Sequence, residues 1–261
     1  MNENGRWVTM NGRHVFIKDG QSPMDAFIRQ KGKEPKEYVD TYKYGIDEES
    51  DDAYDEYVEM SDESYNNLDD GYYQEIKDNY VGNEYSYTIN ENLRNDVDTD
   101  KNIREAMDYA CKTYTSKKDM ASTRFVNLDY LRNAYGLDIQ RYGDVDRSKV
   151  VEQMKEFIDS EISSKGYTSV SLNESGNGMF NNLAVKMKIN MPKGTKMFVA
   201  DNVGEYEAIL GRNTKMILKK VDFKPSKVQG FEKEYGKILL TYEVINDGKD
   251  KEWTNNERNS R

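Results

Sequence analysis

Of 261 residues only one is cysteine, Cys111, and only one is histidine, His14. A lone thiol allows no internal disulfide, which suits a reducing compartment. A lone histidine close to the start excludes a histidine-rich metal centre, and it excludes a serine–histidine dyad anywhere beyond the N-terminal segment. No apolar stretch approaches the roughly 20 residues that span a bilayer, and MNENGRWVTMNGRH at the start holds no apolar signal core. The chain is therefore expected to be soluble and unprocessed, with no membrane contact. Clusters of Lys and Arg are missing too, which argues against direct nucleic-acid binding. No G-x-G-x-x-G follows a strand pattern, so a dinucleotide would need a cleft of another kind. Nor is any internal repeat visible.

Acid is what the chain has in quantity, and it is unevenly placed. Residues 47–70, DEESDDAYDEYVEMSDESYNNLDD, hold twelve acids and no base, whereas the whole chain nets −10. Dense like charge resists compaction, so residues 47–59 are expected to form a solvated, partly disordered linker. The interleaved Tyr54, Tyr57 and Tyr65 leave open an acidic, aromatic surface that docks a basic partner. With 36% hydrophobic residues and a mean hydropathy of −0.97, the chain can hold one core of ordinary domain size plus polar extensions. Asn11-Gly12 between short alternating runs predicts a hairpin within 5–22. Residues 23–46 read as one helix with charged flanks, so that 1–46 forms an N-terminal extension, and 246–261 read as a frayed tail. Between them, 60–245 reads as helices first, at about 72–79, 84–94, 100–115 and 148–162, then mostly strands from 167 onward. That order predicts an α+β domain rather than a doubly wound sheet. Cys111 lies on the amphipathic pattern IREAMDYACKTY and reads as a small core residue.

Three short motifs carry the chemistry. In VGEYEAILGRNTKMIL (203–218), Glu205 and Glu207 are one residue apart before an apolar run. Placed on a strand, both carboxylates would leave the same face, and like charges so close mark a site more than a scaffold. In KGYTSVSLNE (165–174), the hydroxyls of Thr168, Ser169 and Ser171 can orient a carboxylate and a ribose hydroxyl together. In STRFVNLDYLRNAYG (122–136), Arg124 opens an apolar segment and can fork onto phosphate oxygens.

Arginine, then Ser-x-Ser, then Glu-x-Glu, in that order and spacing, resembles the arginine-serine-glutamate class of mono-ADP-ribosyltransferases, the family of clostridial binary toxins and related exoenzymes. VGNEYSYTINENLR (81–94) is similar to that family's helix of a Tyr, Ile-Asn and Leu-Arg. Residues 183–221 resemble its strand, Pro-Lys-Gly turn and catalytic loop. The likeness covers about residues 60–245, and it implies N-terminal helices packed on a mixed or antiparallel β-sandwich. Two positions depart from the family pattern. Phe125 stands where glycine often follows the arginine, and a side chain there would narrow the nicotinamide pocket. Val170 stands where the family often has threonine; alternation should turn it away from the site. The short hairpin is also similar to N-terminal elements of phage-encoded proteins.

The resemblance implies transfer of ADP-ribose from NAD, used as substrate without a metal, to a side chain of a host or phage protein. Glu207 would stabilise the charge developing on the ribose and hold its 2′-hydroxyl. Ser169 would orient Glu207, Arg124 would engage the pyrophosphate, and Glu205 would deprotonate an incoming guanidinium, making arginine the expected acceptor. NESGNGMFNN (173–182) resembles the loop that covers NAD, with Phe180 either stacking on it or anchoring the loop. Thr168, Ser171 and Phe125 complete the expected NAD contacts. The place of action would be the host cytoplasm, or the virion. Three other outcomes stay open: an NAD glycohydrolase, a degenerate binding module with Phe125 blocking its pocket, and a structural virion component.

Overall fold

The computed structural model describes residues 5–10, 13–18, 38–81, 85–97, 99–140 and 144–246. Strands β1 (Gly5–Met10) and β2 (Arg13–Lys18) pair antiparallel with Met10 opposite Arg13, which is the hairpin expected around Asn11-Gly12. The helix expected over 23–46 falls mostly outside the described residues. Its described end, 38–46, is not helical: it crosses the sheet irregularly, with Tyr44 bridged to Ala121 and Gly45 N–H donating to the Ala121 carbonyl at 3.0 Å. The tail over 247–261 also lies outside the described residues.

The acidic run does not behave as a solvated linker. Helix α1 (Ala53–Asn66) occupies most of it, with Ala53, Tyr57, Met60, Ser61 and Ser64 buried. Those positions recur at the helical period and form one stripe, while the acids occupy the opposite faces. Lys117 and Lys118 neutralise part of that charge, pairing with Glu63 at 2.5 Å and Glu56 at 2.6 Å. Ile46, Ala53, Tyr57 and Met60 all belong to the main hydrophobic core, so this segment is part of the folded body.

Helices α2 (Asp70–Asn79), α3 (Tyr85–Arg94) and α4 (Lys101–Ala110) follow. In α4 the buried Ile103, Ala106, Met107 and Ala110 make an i, i+3, i+4, i+7 face, and Asp100 caps its first turn by accepting from the Asn102 N–H at 2.9 Å. Cys111 at its end is a buried core residue, and burial pushes its thiol well above its ordinary pKa. Strands β3 (Tyr114–Thr115) and β4 (Met120–Val126) come next, and then α5 (Leu128–Tyr135), which ends at Gly136 with φ +66°. Helix α6 (Arg147–Lys155) precedes β5 (Glu161–Ser163), β6 (Thr168–Ser171), a 3₁₀ turn (Gly178–Phe180), β7 (Val185–Met191), β8 (Lys196–Val199), β9 (Glu207–Leu210), β10 (Lys215–Lys224) and β11 (Lys237–Val244).

The last nine strands to be laid down form one sheet, ordered β3-β8-β9-β6-β4-β7-β11-β10-β5. It is mixed: β7 and β11 run parallel and the other neighbours antiparallel. With six helices among the described residues, this is the expected α+β architecture. The sheet is held together at its middle by one register pair, Thr123 of β4 opposite Ser171 of β6. On one side of that seam, β4, β7, β11 and β10 form long ladders over the larger core. On the other, the short β6, β9 and β8 lie between that core and a second one, in which Ile209, Phe198 and Tyr167 meet α2, α3 and α4. The pairing is sparsest at this seam, and the candidate residues gather there.

Candidate active site

Glu207 is the first residue of β9 and Ser171 lies opposite it on β6. Ser169, two residues along β6, therefore shares its face, and its hydroxyl donates to Glu207 Oε1 at 2.5 Å. Asn202 Nδ2 reaches the other carboxylate oxygen at 3.4 Å. Val170 points the opposite way into the main core, as alternation predicts. Thr168 also leaves the far face and is buried, so it is not brought to Glu207.

Glu205 reaches the site by another route than the expected one. It is not on the strand: residues 202–206 form a turn in which Glu205 N–H donates to the Asn202 carbonyl at 3.1 Å, and Tyr206, between the two glutamates, has φ +47°. A left-handed residue breaks the two-residue period, so the pleat cannot set the two carboxylates side by side. The turn does it instead. Burial first, and then the charge of Glu207, raise the Glu205 pKa above the ordinary carboxylate range. Asn177 donates its side-chain N–H to Glu205 Oε1. The Ser171 hydroxyl lies within hydrogen-bonding reach of the Glu205 carbonyl and 2.8 Å from Asn173 Oδ1, so it ties the turn to the following loop.

Arg124 reaches across the seam from β4, and its guanidinium donates to the Ser169 carbonyl. Burial lowers its pKa most, and the nearby charge of Arg94 lowers it further, while Tyr130, Tyr80 and Glu207 favour the charged form. Arg94, exposed at the end of α3, thus stands beside Arg124. Among the described residues neither arginine forms an ion pair with a carboxylate. The sequence pointed to Arg94 only as the close of the Leu-Arg helix pattern. Its helix is docked on β6 by Asn90, whose Oδ1 accepts from the Tyr167 N–H at 2.8 Å, and a Cβ on Gly166 would sit 2.8 Å from that same oxygen.

Phe125 leaves β4 on the face opposite Arg124. Lys237 Nζ lies 5.0 Å from its ring centre, and the ring lies against Gly176, where an added Cβ would come within 2.7 Å of it. Gly176 has φ +64°, so both its conformation and this contact call for glycine. The 173–182 loop therefore closes down on Phe125. Thr123 Oγ1 donates to the Glu174 carbonyl at 3.0 Å, and Glu48 accepts from Ser175 Oγ at 2.6 Å and from the Asn173 amide. Phe180 is half-buried and belongs to neither core, while its neighbour Met179 is 78% exposed. Glu48, Asn173, Asn177 and Tyr57 were not singled out as site residues. Polar loop positions and one tyrosine in an acidic run carry no spacing that marks them. A hollow of about 410 Å³ between α2 and α4, lined by Asp69, Tyr72 and Glu105 among others, contains none of these groups.

A helical layer over a mixed sheet that parts at a seam, with arginine, serine and paired glutamates at the parting, defines a class of compact α+β transferase domain. The chain belongs to the ADP-ribosyltransferase exoenzyme family, whose model matches residues 59–246. Solved structures share its fold at low identity. The C3 exoenzyme of Clostridium limosum is 16% identical, with a TM-score of 0.60, over 79% of this chain and 98% of that one. Plx2a, an ADP-ribosyltransferase toxin from Paenibacillus larvae, is 19% identical with a TM-score of 0.58, over 78% of this chain and all of that one. BECa, an ADP-ribosylating toxin of C. perfringens solved with NADH, is 15% identical with a TM-score of 0.59, over 77% of this chain and half of that one. No curated protein matches the chain. Family membership supports an NAD-dependent mono-ADP-ribosyltransferase. No helix among the described residues is long and apolar enough to cross a membrane.

Proposed function

We propose that the chain belongs to the arginine-serine-glutamate class and transfers ADP-ribose from NAD to an arginine side chain of a host or phage protein, inside the host cell. The observation that carries this reading is the Ser169–Glu207 hydrogen bond beside a second, destabilised carboxylate, Glu205. When the bond between ribose and nicotinamide breaks, nicotinamide leaves with the bonding pair and positive charge develops at the first ribose carbon. A carboxylate fixed by a hydroxyl donor stabilises that charge without reorganising. Glu207 is that group, and it also accepts from the ribose 2′-hydroxyl. An acceptor guanidinium nitrogen then bonds to the same carbon, and its proton passes to Glu205. A glutamate with a raised pKa suits that step, because it takes the proton more readily than an ordinary carboxylate.

Arg124 and Arg94, two neighbouring cations that form no ion pair with a carboxylate among the described residues, bind the pyrophosphate, where fork geometry favours arginine. Phe125 and the 173–182 loop enclose the nicotinamide end, and Phe180 stacks against the bound NAD. Ser171 acts through the Glu205 backbone that its hydroxyl holds, and Thr168, buried on the far face of β6, acts only through its place in that strand.

Incubation with labelled NAD and a bacterial lysate, with Glu207→Gln in parallel, tests the reading. A discrete labelled band that disappears with the variant, and whose label maps to arginine, supports it. Free nicotinamide without label makes the chain a glycohydrolase, in which water takes the place of the acceptor. Neither signal rejects catalysis.

A further inference from the structure

Helix α1 lies against the backbone of residues 199–207, the segment that carries both glutamates. Ser64 Oγ accepts from the Val199 N–H at 3.0 Å and the Tyr65 hydroxyl accepts from the Asp201 N–H at 3.3 Å. Tyr57 goes deepest. It is fully buried, and its hydroxyl lies 2.5 Å from the Ala200 carbonyl, 3.0 Å from that of Glu207 and 3.2 Å from that of Asn202. One hydroxyl proton thus serves three acceptors that lie on both sides of the turn. The Tyr57 ring meets the Tyr206 ring edge-on at 5.2 Å, and Tyr206 is the left-handed residue between Glu205 and Glu207. A non-glycine residue at positive φ persists only where its surroundings hold it there.

The geometry points to Tyr57 as a positioning residue: it clamps the 200–207 turn and thereby sets where Glu205 stands relative to Glu207. This rests on the transferase reading above, since only there do the two acids have separate tasks. Glu207 has a second support in Ser169, on β6. Glu205 is held by its turn and by the hydrogen bonds of Ser171 to its carbonyl and Asn177 to its carboxylate. Loss of the Tyr57 hydroxyl should therefore affect the acid nearer the acceptor more than the acid at the ribose. Tyr57 also lies just outside residues 59–246, so the first turns of α1 add to the site from beyond the matched family region, while Ser64 and Tyr65 lie within it.

The test compares Tyr57→Phe with Met60→Ala, a buried residue of the same helix that makes no hydrogen bond to the turn. Both variants are assayed well below their melting temperatures, with agmatine as a small guanidinium acceptor. Tyr57→Phe is expected to keep the KM for NAD and acceptor-free nicotinamide release within about threefold, while transfer to agmatine falls roughly tenfold or more. Met60→Ala should leave the ratio of transfer to hydrolysis unchanged. Hydrogen exchange supplies a readout independent of activity: amides 203–206 should exchange about tenfold faster in Tyr57→Phe and not in Met60→Ala. Equal ratios together with unchanged exchange would overturn the proposal. Should the wild-type chain release no nicotinamide at all, the transferase reading fails, while the exchange comparison still decides whether Tyr57 holds the turn.

Discussion

The two sides of the seam divide the work of the molecule. Beyond β4, the ladders are long: β4 and β7 pair over seven residues and β10 and β11 over eight, with Val185, Met187, Ile189, Ile238 and Leu240 buried beneath α5 and α6. Before it, β6, β8 and β9 have four residues each, and their polar ends carry Ser169 and Glu207. Short strands leave backbone and side chains free for turns and loops, and a two-strand ladder of that length has little stability of its own. The long half supplies rigidity and the short half supplies chemistry. Arg124 is the point of contact, since it belongs to a long strand and bonds to a short one.

The sharpest way to break that comparison is to damage each half separately. Glu207→Gln in the short half should lower NAD turnover by ~10²–10⁴-fold, with a melting temperature close to wild type, because the isostere keeps the shape of a half-buried side chain. Steady-state nicotinamide release measures it. Turnover within threefold of wild type would remove Glu207 from the chemistry.

Leu240→Ala in the long half should do the reverse. Leu240 is 1% exposed in the main core, so its truncation should cost about 2–5 kcal/mol and lower the melting temperature by roughly 5–20 °C. Activity per folded molecule should stay unchanged. If activity fell while the fold held, the halves would not be separable in this way.

The long half was also the more legible one. LAVKMKINM alternates so regularly that its burial follows the pattern through most of β7. Among the helices, the periods of 72–79 and 84–94, which pack on the short half, fall within two residues of α2 and α3, whereas that of 148–162 starts with α6 but runs past its end at Lys155 into β5. Two parts of the short half were not legible, for different reasons. Helix α1 was hidden because its apolar stripe is made of tyrosine, methionine, alanine and serine set among acids, so composition outweighed period. The Glu-x-Glu turn was hidden because a strand of four residues gives no sign that it starts at Glu207 rather than Glu205. The site itself was legible as three motifs in order. What the spacing could not give was how the third dimension joins them, through Asn177, Asn173 and Tyr57.

Ser169→Ala tests the join within the short half. It removes a hydrogen bond to a charged carboxylate, an interaction worth about 1.5–3 kcal/mol, so turnover should fall by roughly 10–100-fold with the KM for NAD little changed. A purely additive scheme would have Ser169→Ala weaken the Glu207→Gln variant further. If Ser169 acts only through Glu207, the double variant should be no worse than Glu207→Gln alone.

Asp108→Asn probes how the short half is tied to its helices. Asp108 of α4 accepts from Arg212 Nε at 2.8 Å and from the Tyr167 hydroxyl at 2.9 Å, joining α4, the β9–β10 connection and β6. Burial alone would raise its pKa, but the bonds from Arg212 and Tyr167 outweigh it and hold the carboxyl below its ordinary range. A depressed carboxylate stabilises the fold above its unfolded pKa and loses that contribution as pH falls through its folded pKa. The variant should therefore be less stable at pH 7 by about 1 kcal/mol, a modest figure because a third of the Asp108 side chain is exposed. The gap should close below about pH 4. Thermal melts at the two pH values decide it, and a gap that persisted at low pH would show packing rather than charge.

Glu205→Gln should give the smallest stability change, and its sign is opposite. Glu205 has a raised folded pKa because burial and the charge of Glu207 both oppose ionisation. Above the ordinary carboxylate pKa of about 4.3 the unfolded chain gives up this proton more readily than the folded one, so wild-type stability declines as pH rises through the raised value. The amide carries no such penalty. At pH 7 the variant should melt slightly higher than wild type, by ~1 °C after discounting for its partial exposure, and the gain should vanish at low pH. The same substitution should abolish transfer to agmatine while leaving acceptor-free nicotinamide release largely intact, because Glu207 and its Ser169 support are untouched. A residue whose removal steadies the fold and costs only the acceptor step is held in place for that step. A variant that lost both activities together, or melted lower at pH 7, would instead make Glu205 part of the scaffold.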